Sequence, residues 1–385
     1  MKIKQGYKQT EVGLIPDDWE VKVLADCCIK ITDGTHDTPK PVKSGVPFLT
    51  AIHVKENHID YVNCYYLPDE VHRMIYNRYN PEKNDVLMVN IGAGVATTAL
   101  VTVNYEFSLK NVALLKPDNS QLIGAFLNYW QLKSKLTIIN SISTGGAQPF
   151  LSLNQIGCLK IALPTLTEQT TIANALSDAD ALITSLEKLI AKKRNIKQGA
   201  MQKLLQPKEG WKVKRLVDFL DYEQPTEYLV TNTEYDDNNQ TPVLTAGKTF
   251  ILGYTNEEHG IFTNLPVIIF DDFTTAIKYV EFPFKAKSSA MKMLIPKNES
   301  VNLRFIYEIM LQIKYPLGDH KRHWIAEYRN LEIKIPPTQA EQTRIATILS
   351  DMDNEITALE NKLEKYKKIK LGMMQNLLTG RIRLI

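Results

Sequence analysis

The sequence predicts an α+β protein: two mixed α/β domains joined by two long antiparallel coiled-coil helices, with pseudo-two-fold symmetry. Three observations lead there. A 42-residue segment occurs twice, 173 residues apart and without a gap, with 23 identical positions. Each copy repeats apolar residues at a 3-4 spacing, the mark of a helical seam. The stretch ahead of each copy opens on a related motif, Trp19-Glu20-Val21-Lys22-Val23-Leu24 and Trp211-Lys212-Val213-Lys214-Arg215-Leu216. Chance does not give such identity at one offset, so the chain carries an internal duplication. The expected order is a domain at 1–163, a helix at 164–206, a domain at 207–335 and a helix at 336–385.

The copies begin at Pro164-Thr165-Leu166-Thr167-Glu168-Gln169 and Pro337-Thr338-Gln339-Ala340-Glu341-Gln342. Proline and threonine suit a helix start, glutamate favours its positive first turn, and no proline interrupts the remainder of either copy. The seam runs through Ile172, Leu176, Ala179, Ile183, Leu186 and Ile190, and again through Ile345, Leu349, Met352, Ile356, Leu359 and Leu363. Its register slips near Lys197 and Lys370, where Ile196 and Ile369 take over, and resumes at Leu204 and Leu377. Gly199 and Gly372 sit inside the helices at a cost of roughly 1 kcal/mol each, which fits a tolerated kink or a close approach to another helix.

Charge sets the pairing direction. Residues 168–186 sum to −3 and 187–205 to +5; the second copy repeats this with −3 over 341–359 and +3 over 360–378. Antiparallel packing places each acidic half beside a basic one, and charge selects orientation more than it adds strength. About 38 residues at 1.5 Å rise give a rod of roughly 57 Å, with the domains expected at its opposite ends.

Each domain reads as short strands, turns and occasional helices. Val86 to Val89, Ala99 to Val103 and Val112 to Leu115 look like strands in the first, and Val267 to Phe270 and Met291 to Ile295 in the second. Helical periodicity appears at Leu122 to Leu136 and Leu303 to Ile313. Beyond the tryptophan motif the domains align poorly, so they share a plan but not a surface. A hydrophobic fraction of 44% is that of a core-forming chain. Apolar runs such as Leu265 to Phe270 are too short to cross a bilayer, and no apolar leader follows Met1. With four cysteines in no paired spacing, the expectation is a cytoplasmic protein with free thiols and no membrane role.

No catalytic constellation stands out. Pro242-Val243-Leu244-Thr245-Ala246-Gly247-Lys248-Thr249 has the tail of a phosphate-binding loop but proline where the first glycine belongs. Gly92-Ala93-Gly94 precedes strand-like Ala99 to Val103 rather than a helix. Pro16-Asp17 and Glu20-Val21-Lys22 hold the letters of a nuclease metal site, with too few residues between the acids for a strand turn. His320-Lys321-Arg322-His323 lacks a second ligand pair, so no metal is expected. A net charge of only +3 does not by itself mark a nucleic-acid binder, and local distribution must decide. The first domain offers the turn Thr32 to Lys40, with Thr35, His36, Thr38 and Lys40, then Arg73, Arg78 and Gln148. The second offers Thr245, Lys248, Thr249, Lys278, Lys285, Lys287, Ser288, Ser289 and Lys292, then Lys321 and Arg322. Cations beside short donors and acceptors are what phosphate positioning and base-edge reading require. Together they favour double-stranded DNA.

The whole arrangement resembles the specificity subunit of type I restriction-modification enzymes. The likeness rests on the Trp-x-Val opening, Asp33-Gly34-Thr35-His36, Gly145-Gly146-Ala147-Gln148-Pro149 and the two Pro-x-x-x-Glu-Gln helices. In the second domain Pro242 to Lys248 and Pro266-Val267-Ile268-Ile269-Phe270-Asp271-Asp272-Phe273-Thr274-Thr275 also resemble target recognition domains. The resemblance implies a non-catalytic subunit in which each domain reads one half of a split, asymmetric DNA site. It implies that the helices set the gap and dock two methyltransferase subunits, with restriction/translocase subunits in the same complex. It further implies that no cofactor binds this chain, S-adenosylmethionine and ATP being held by the partners. Two other readings are a recognition subunit of a type II-like or phage-defence methylation system, and a coiled-coil scaffold that binds protein.

Overall fold

The computed structural model describes residues 5–142, 149–245, 247, 249–315 and 323–384. The chain divides into two compact units, Met1–Glu187 with Lys362–Ile385, and Lys188–Asn361. Each unit therefore holds one globular domain and one part of each long helix. Those helices run Leu166–Leu204 and Gln339–Leu377, 39 residues each, with the 173-residue offset kept at both ends.

Within each unit the helix segments run antiparallel, as the charge division requires. In the first, Asp180 meets Lys370 at 2.5 Å and Glu187 meets Lys367 at 3.3 Å. In the second, Lys193 meets Glu355, Arg194 meets Glu360 and Lys197 meets Asp353, each at 2.5 Å. Ile172, Leu176, Leu186, Ile190, Ile345, Leu349, Ile356 and Leu363 are buried, while Ile183 and Leu359 are half-buried. Lys197 and Lys370 interrupt the apolar seam because each reaches an aspartate on the other helix. At Gly199 and Gly372 an added Cβ would meet nothing within 4 Å, so neither marks a close helix approach.

In the first domain Cys28–Asp33, Ala113–Pro117, Val86–Met88 and Thr98–Leu100 pair antiparallel, in that order, into a four-stranded sheet. Val46–Thr50 pairs in parallel with Ser108–Lys110 and antiparallel with Tyr65–Leu67. Alternation along the strands splits the core in two. Leu87 and Leu114 pack with Leu49 and Leu109; Val86, Met88, Ala113 and Leu115 pack on the helix Gly124–Ser141 through Phe126 and Trp130.

The second domain repeats this strand for strand. Its four-stranded sheet is Leu220–Glu223, Met291–Pro296, Val267–Asp271 and Ile277–Val280. Thr241–Leu244 pairs in parallel with Lys285–Ala286 and antiparallel with Ile251–Thr255. Ile268, Phe270 and Leu294 pack on the helix Leu303–Met310 through Phe305 and Ile306. The first domain adds a hairpin, Val54–Lys55 with His58–Ile59, and a helix, Asp69–Tyr79. Of the expected strands only Ala99 to Val103 is much shortened, to Thr98–Leu100.

The two repeated motifs turn out to be halves of one junction. Glu20–Val23 pairs with Lys160–Leu163, and Lys212–Arg215 with Glu332–Ile335. The buried Trp19 indole donates to Glu168 Oε2 at 3.2 Å. Gln169 donates to the Pro164 carbonyl at 3.0 Å, and its counterpart Gln342 to that of Pro336 at 3.1 Å. The four cysteines are free, and no described helix is long and apolar enough to cross a membrane.

Candidate nucleic-acid interface

In the first domain, the turn after Cys28–Asp33 lies against the turn that links Ser108–Lys110 to Ala113–Pro117. The Gly34 amide donates to the Val112 carbonyl at 3.0 Å and the Thr35 amide to that of Leu109 at 2.9 Å. A Cβ on Gly34 would stand 2.3 Å from the Leu109 oxygen, so only glycine fits this approach. Asn111, in the left-handed region at φ 51°, places its Oδ1 2.8 Å from His36 Nδ1, and Asp33 Oδ2 lies 3.2 Å from Nε2. His36 is thus held at both ring nitrogens yet remains exposed. Lys110 donates to the Thr38 hydroxyl, and Lys40 is exposed nearby in sequence. Arg73 and Arg78 are exposed on Asp69–Tyr79, whose Tyr79 hydroxyl donates to the Leu109 carbonyl at 3.1 Å. Thr35 itself is buried; its hydroxyl accepts from the Asp37 amide at 3.2 Å and shapes the turn.

In the second domain, backbone bonds gather four segments. Lys287 N donates to Leu244 O at 2.8 Å, Thr245 N to Phe250 O at 2.9 Å, Asp272 N to Ala290 O at 3.1 Å and His323 N to Asp272 O at 3.0 Å. The hairpin turn with Thr245 and Thr249, the turn with Lys287 and Ser288, and the turn with Phe273 therefore cluster. Thr249, Phe273, Lys278 and Lys287 are exposed, Thr245 and Ser288 half-buried. Lys278 Nζ lies 5.8 Å from the Phe250 ring centre.

Two expected contacts are corrected. Lys285 is buried, with its ammonium 2.8 Å from Glu257 and 2.6 Å from the His259 carbonyl. Lys292 is fully buried, 3.3 Å from an equally buried Asp272 and donating to Gln224 Oε1 at 2.8 Å. Both charges are neutralised inside the domain, out of reach of a phosphate. Gln148, Lys248, Lys321 and Arg322 lie outside the described residues.

The flanks of two sequence-flagged loops occupy equivalent places. After Gly145-Gly146-Ala147-Gln148, Pro149 O accepts from Gly92 N at 2.8 Å and Leu151 N donates to Asn90 O at 2.8 Å. After His320-Lys321-Arg322, His323 N donates to Asp272 O and Trp324 N to Asp272 Oδ1, each at 3.0 Å. In both domains the chain returns to the turn that follows the same sheet strand. Lys110, Asn111 and Phe273 were missed by sequence reasoning. An asparagine between a lysine and a strand was the available sign of a left-handed turn.

The Gly247 turn joins two antiparallel strands rather than a strand and a helix. No group of three or more metal-ligating side chains occurs among the described residues. Burial works against ionisation of Glu257, but the Asn232 amide, Lys285 and Thr231 outweigh it and hold the carboxyl at about 2. That acid fastens a loop rather than moving protons.

The profile described as type I restriction modification DNA specificity domain matches residues 16–198 and 208–370. A type I restriction enzyme specificity subunit from Escherichia coli is 47% identical over 164 residues, covering 39% of this chain and 41% of that relative's length. Another from Methanocaldococcus jannaschii is 22% identical over 428 residues, covering 99% of this chain and 96% of the relative. The crystal structure of a type I restriction-modification S subunit from M. genitalium shares the fold, with TM-score 0.67, 15% identity and 98% of both chains covered. With the profile matching both halves, the chain belongs to the family of type I restriction modification DNA specificity domains.

Proposed function

We propose that this chain is the DNA-reading subunit of a type I restriction-modification complex. Each domain reads one half of a bipartite asymmetric site, and the long helices set the gap. One observation carries this: the same strand framework occurs twice and its turns present different side chains, Lys110 and Asn111 in one domain against Lys287 and Ser288 at the corresponding turn of the other. His36, Thr38, Lys110 and Asn111 stand in one domain; Thr249, Phe273, Lys287 and Ser288 stand in the other. Two modules on one DNA face sit about 34 Å or a multiple apart. Helices of 39 residues, about 58 Å at the standard rise, have the length for that task.

Methyltransferase subunits fit the exposed side of the first helix. Leu182, Leu189 and Ile196 are more than a third exposed and recur every seventh residue, the spacing of a seam awaiting a helix. S-adenosylmethionine and ATP belong on the methyltransferase and restriction/translocase partners in this reading, so the chain contributes recognition and geometry. The test is binding of the assembled complex to duplexes in which one half-site is scrambled. Loss of specific affinity from either scramble is expected; full affinity with one half scrambled refutes bipartite reading.

A further inference from the structure

Lys197 and Lys370 break the coiled-coil pattern at equivalent positions of the repeat, and each leads to a hub. In the first unit Lys370 lies 2.5 Å from Asp180 Oδ1. The other oxygen of Asp180 accepts from the Tyr129 hydroxyl and the Asn57 amide, each at 2.8 Å. Asn57 in turn accepts from Asn128 at 2.6 Å. Burial, and after it the Asp180 carboxylate, pushes the Tyr129 phenol above its ordinary range, so it stays a donor.

The second unit repeats this at the counterpart residues. Lys197 lies 2.5 Å from Asp353 Oδ1, and Arg304 binds Asp353 Oδ2. Arg304 also donates twice to Glu308 Oε1, at 2.9 and 2.7 Å, and lies 5.0 and 5.3 Å from the Tyr279 and Tyr307 rings. Tyr129 and Arg304 sit on equivalent helices, Gly124–Ser141 and Leu303–Met310. In each unit one aspartate thus ties three elements: its own long helix, the opposite one and the recognition domain.

A carboxylate half-shielded by such partners is a directional tie, because its lone pairs fix both distance and angle. Apolar packing alone tolerates small rotations. We infer that Asp180 and Asp353 are positioning residues that lock each recognition domain at one angle on its helix pair, so that discrimination between gap lengths is set at these carboxylates. This rests on the proposed function, in which the domains read half-sites and the helices set the gap. The two hubs differ in chemistry. The domain side is neutral at Asp180 and cationic at Asp353, so high salt loosens the second hub more than the first.

The experiment maps methylated sites in cells carrying the full complex with Asp353→Asn, Asp353→Glu, Asp180→Asn or Tyr129→Phe, alongside thermal unfolding of each chain. Residues in one hydrogen-bonded network couple strongly enough that Asp353→Asn is expected to cut the preference for the native gap over its one-base-pair neighbours by about tenfold. Half-site sequences stay unchanged, and Asp353→Glu restores part of the preference. Tyr129→Phe, which removes one hydroxyl, is expected to show a smaller loss with its fold intact. Unchanged gap discrimination in these folded variants overturns the inference. So does an equal loss of methylation at every gap, since that marks affinity rather than geometry. If the unaltered complex methylates no bipartite site at all, it is the underlying reading that fails.

Discussion

Lys287 and Lys292 stand five positions apart in sequence and do opposite work. Lys287 is exposed beside Ser288, whereas Lys292 is sealed in with Asp272. Removing one partner of a buried pair leaves an uncompensated charge, a loss of about 3–5 kcal/mol. Lys292→Ala is therefore expected to lower the unfolding free energy by that order in denaturant titration. Lys287→Ala should leave stability within about 0.5 kcal/mol and reduce the slope of log affinity against log salt by about 1. An unchanged slope removes Lys287 from the phosphate contacts. Glu257 gives a pH signature. Its folded value of about 2 lies below the ordinary 4.5, so its stabilisation is complete above about pH 4.5 and is lost as pH falls towards 2. Glu257→Gln should flatten that limb of the acid-unfolding curve; an unaltered limb shows that other acids govern it. Lys292 was open to discovery in the sequence, since Met291-Lys292-Met293-Leu294-Ile295 places a lysine within an apolar run. Its partner Asp272 is distant along the chain, and only the strand pairing of 267–271 with 291–296 brings them together.

Periodicity made the long helices the most legible elements, because a seam repeats its signal over 39 residues. The division of charge gave their direction for the same reason. The hubs were not legible, since Tyr129, Asn57 and Arg304 come from domains whose sequences do not align. The turns proposed to read DNA were half legible. Asp33-Gly34-Thr35-His36 announced a turn, but its docking on Leu109 and Asn111 depends on a parallel strand pair formed across a long stretch of chain. Leu189→Glu with Ile196→Glu alters exposed positions, so helicity and melting temperature should hold while assembly with methyltransferase subunits fails in light scattering. Normal assembly refutes docking on that face.

For the whole molecule, duplication supplies the frame and divergence supplies the asymmetric target. The same junction of strand pair and glutamine repeats, as does the strand order. What differs lies in the turns, in the added hairpin Val54–Lys55 with His58–Ile59 and in the inserted helix Asp69–Tyr79. Adding or removing about 3.6 residues in both long helices, one turn, should therefore change the length of the gap and leave the half-sites alone. The most direct measurement is sequencing of methylated DNA from cells carrying the complex with His36→Ala and Asn111→Ala in one domain, or Thr249→Ala and Phe273→Ala in the other. Each pair should relax one half of a bipartite site while the other half and the gap persist. Relaxation of both halves by either pair, or methylation of a continuous site, contradicts two independent readers on a duplicated frame.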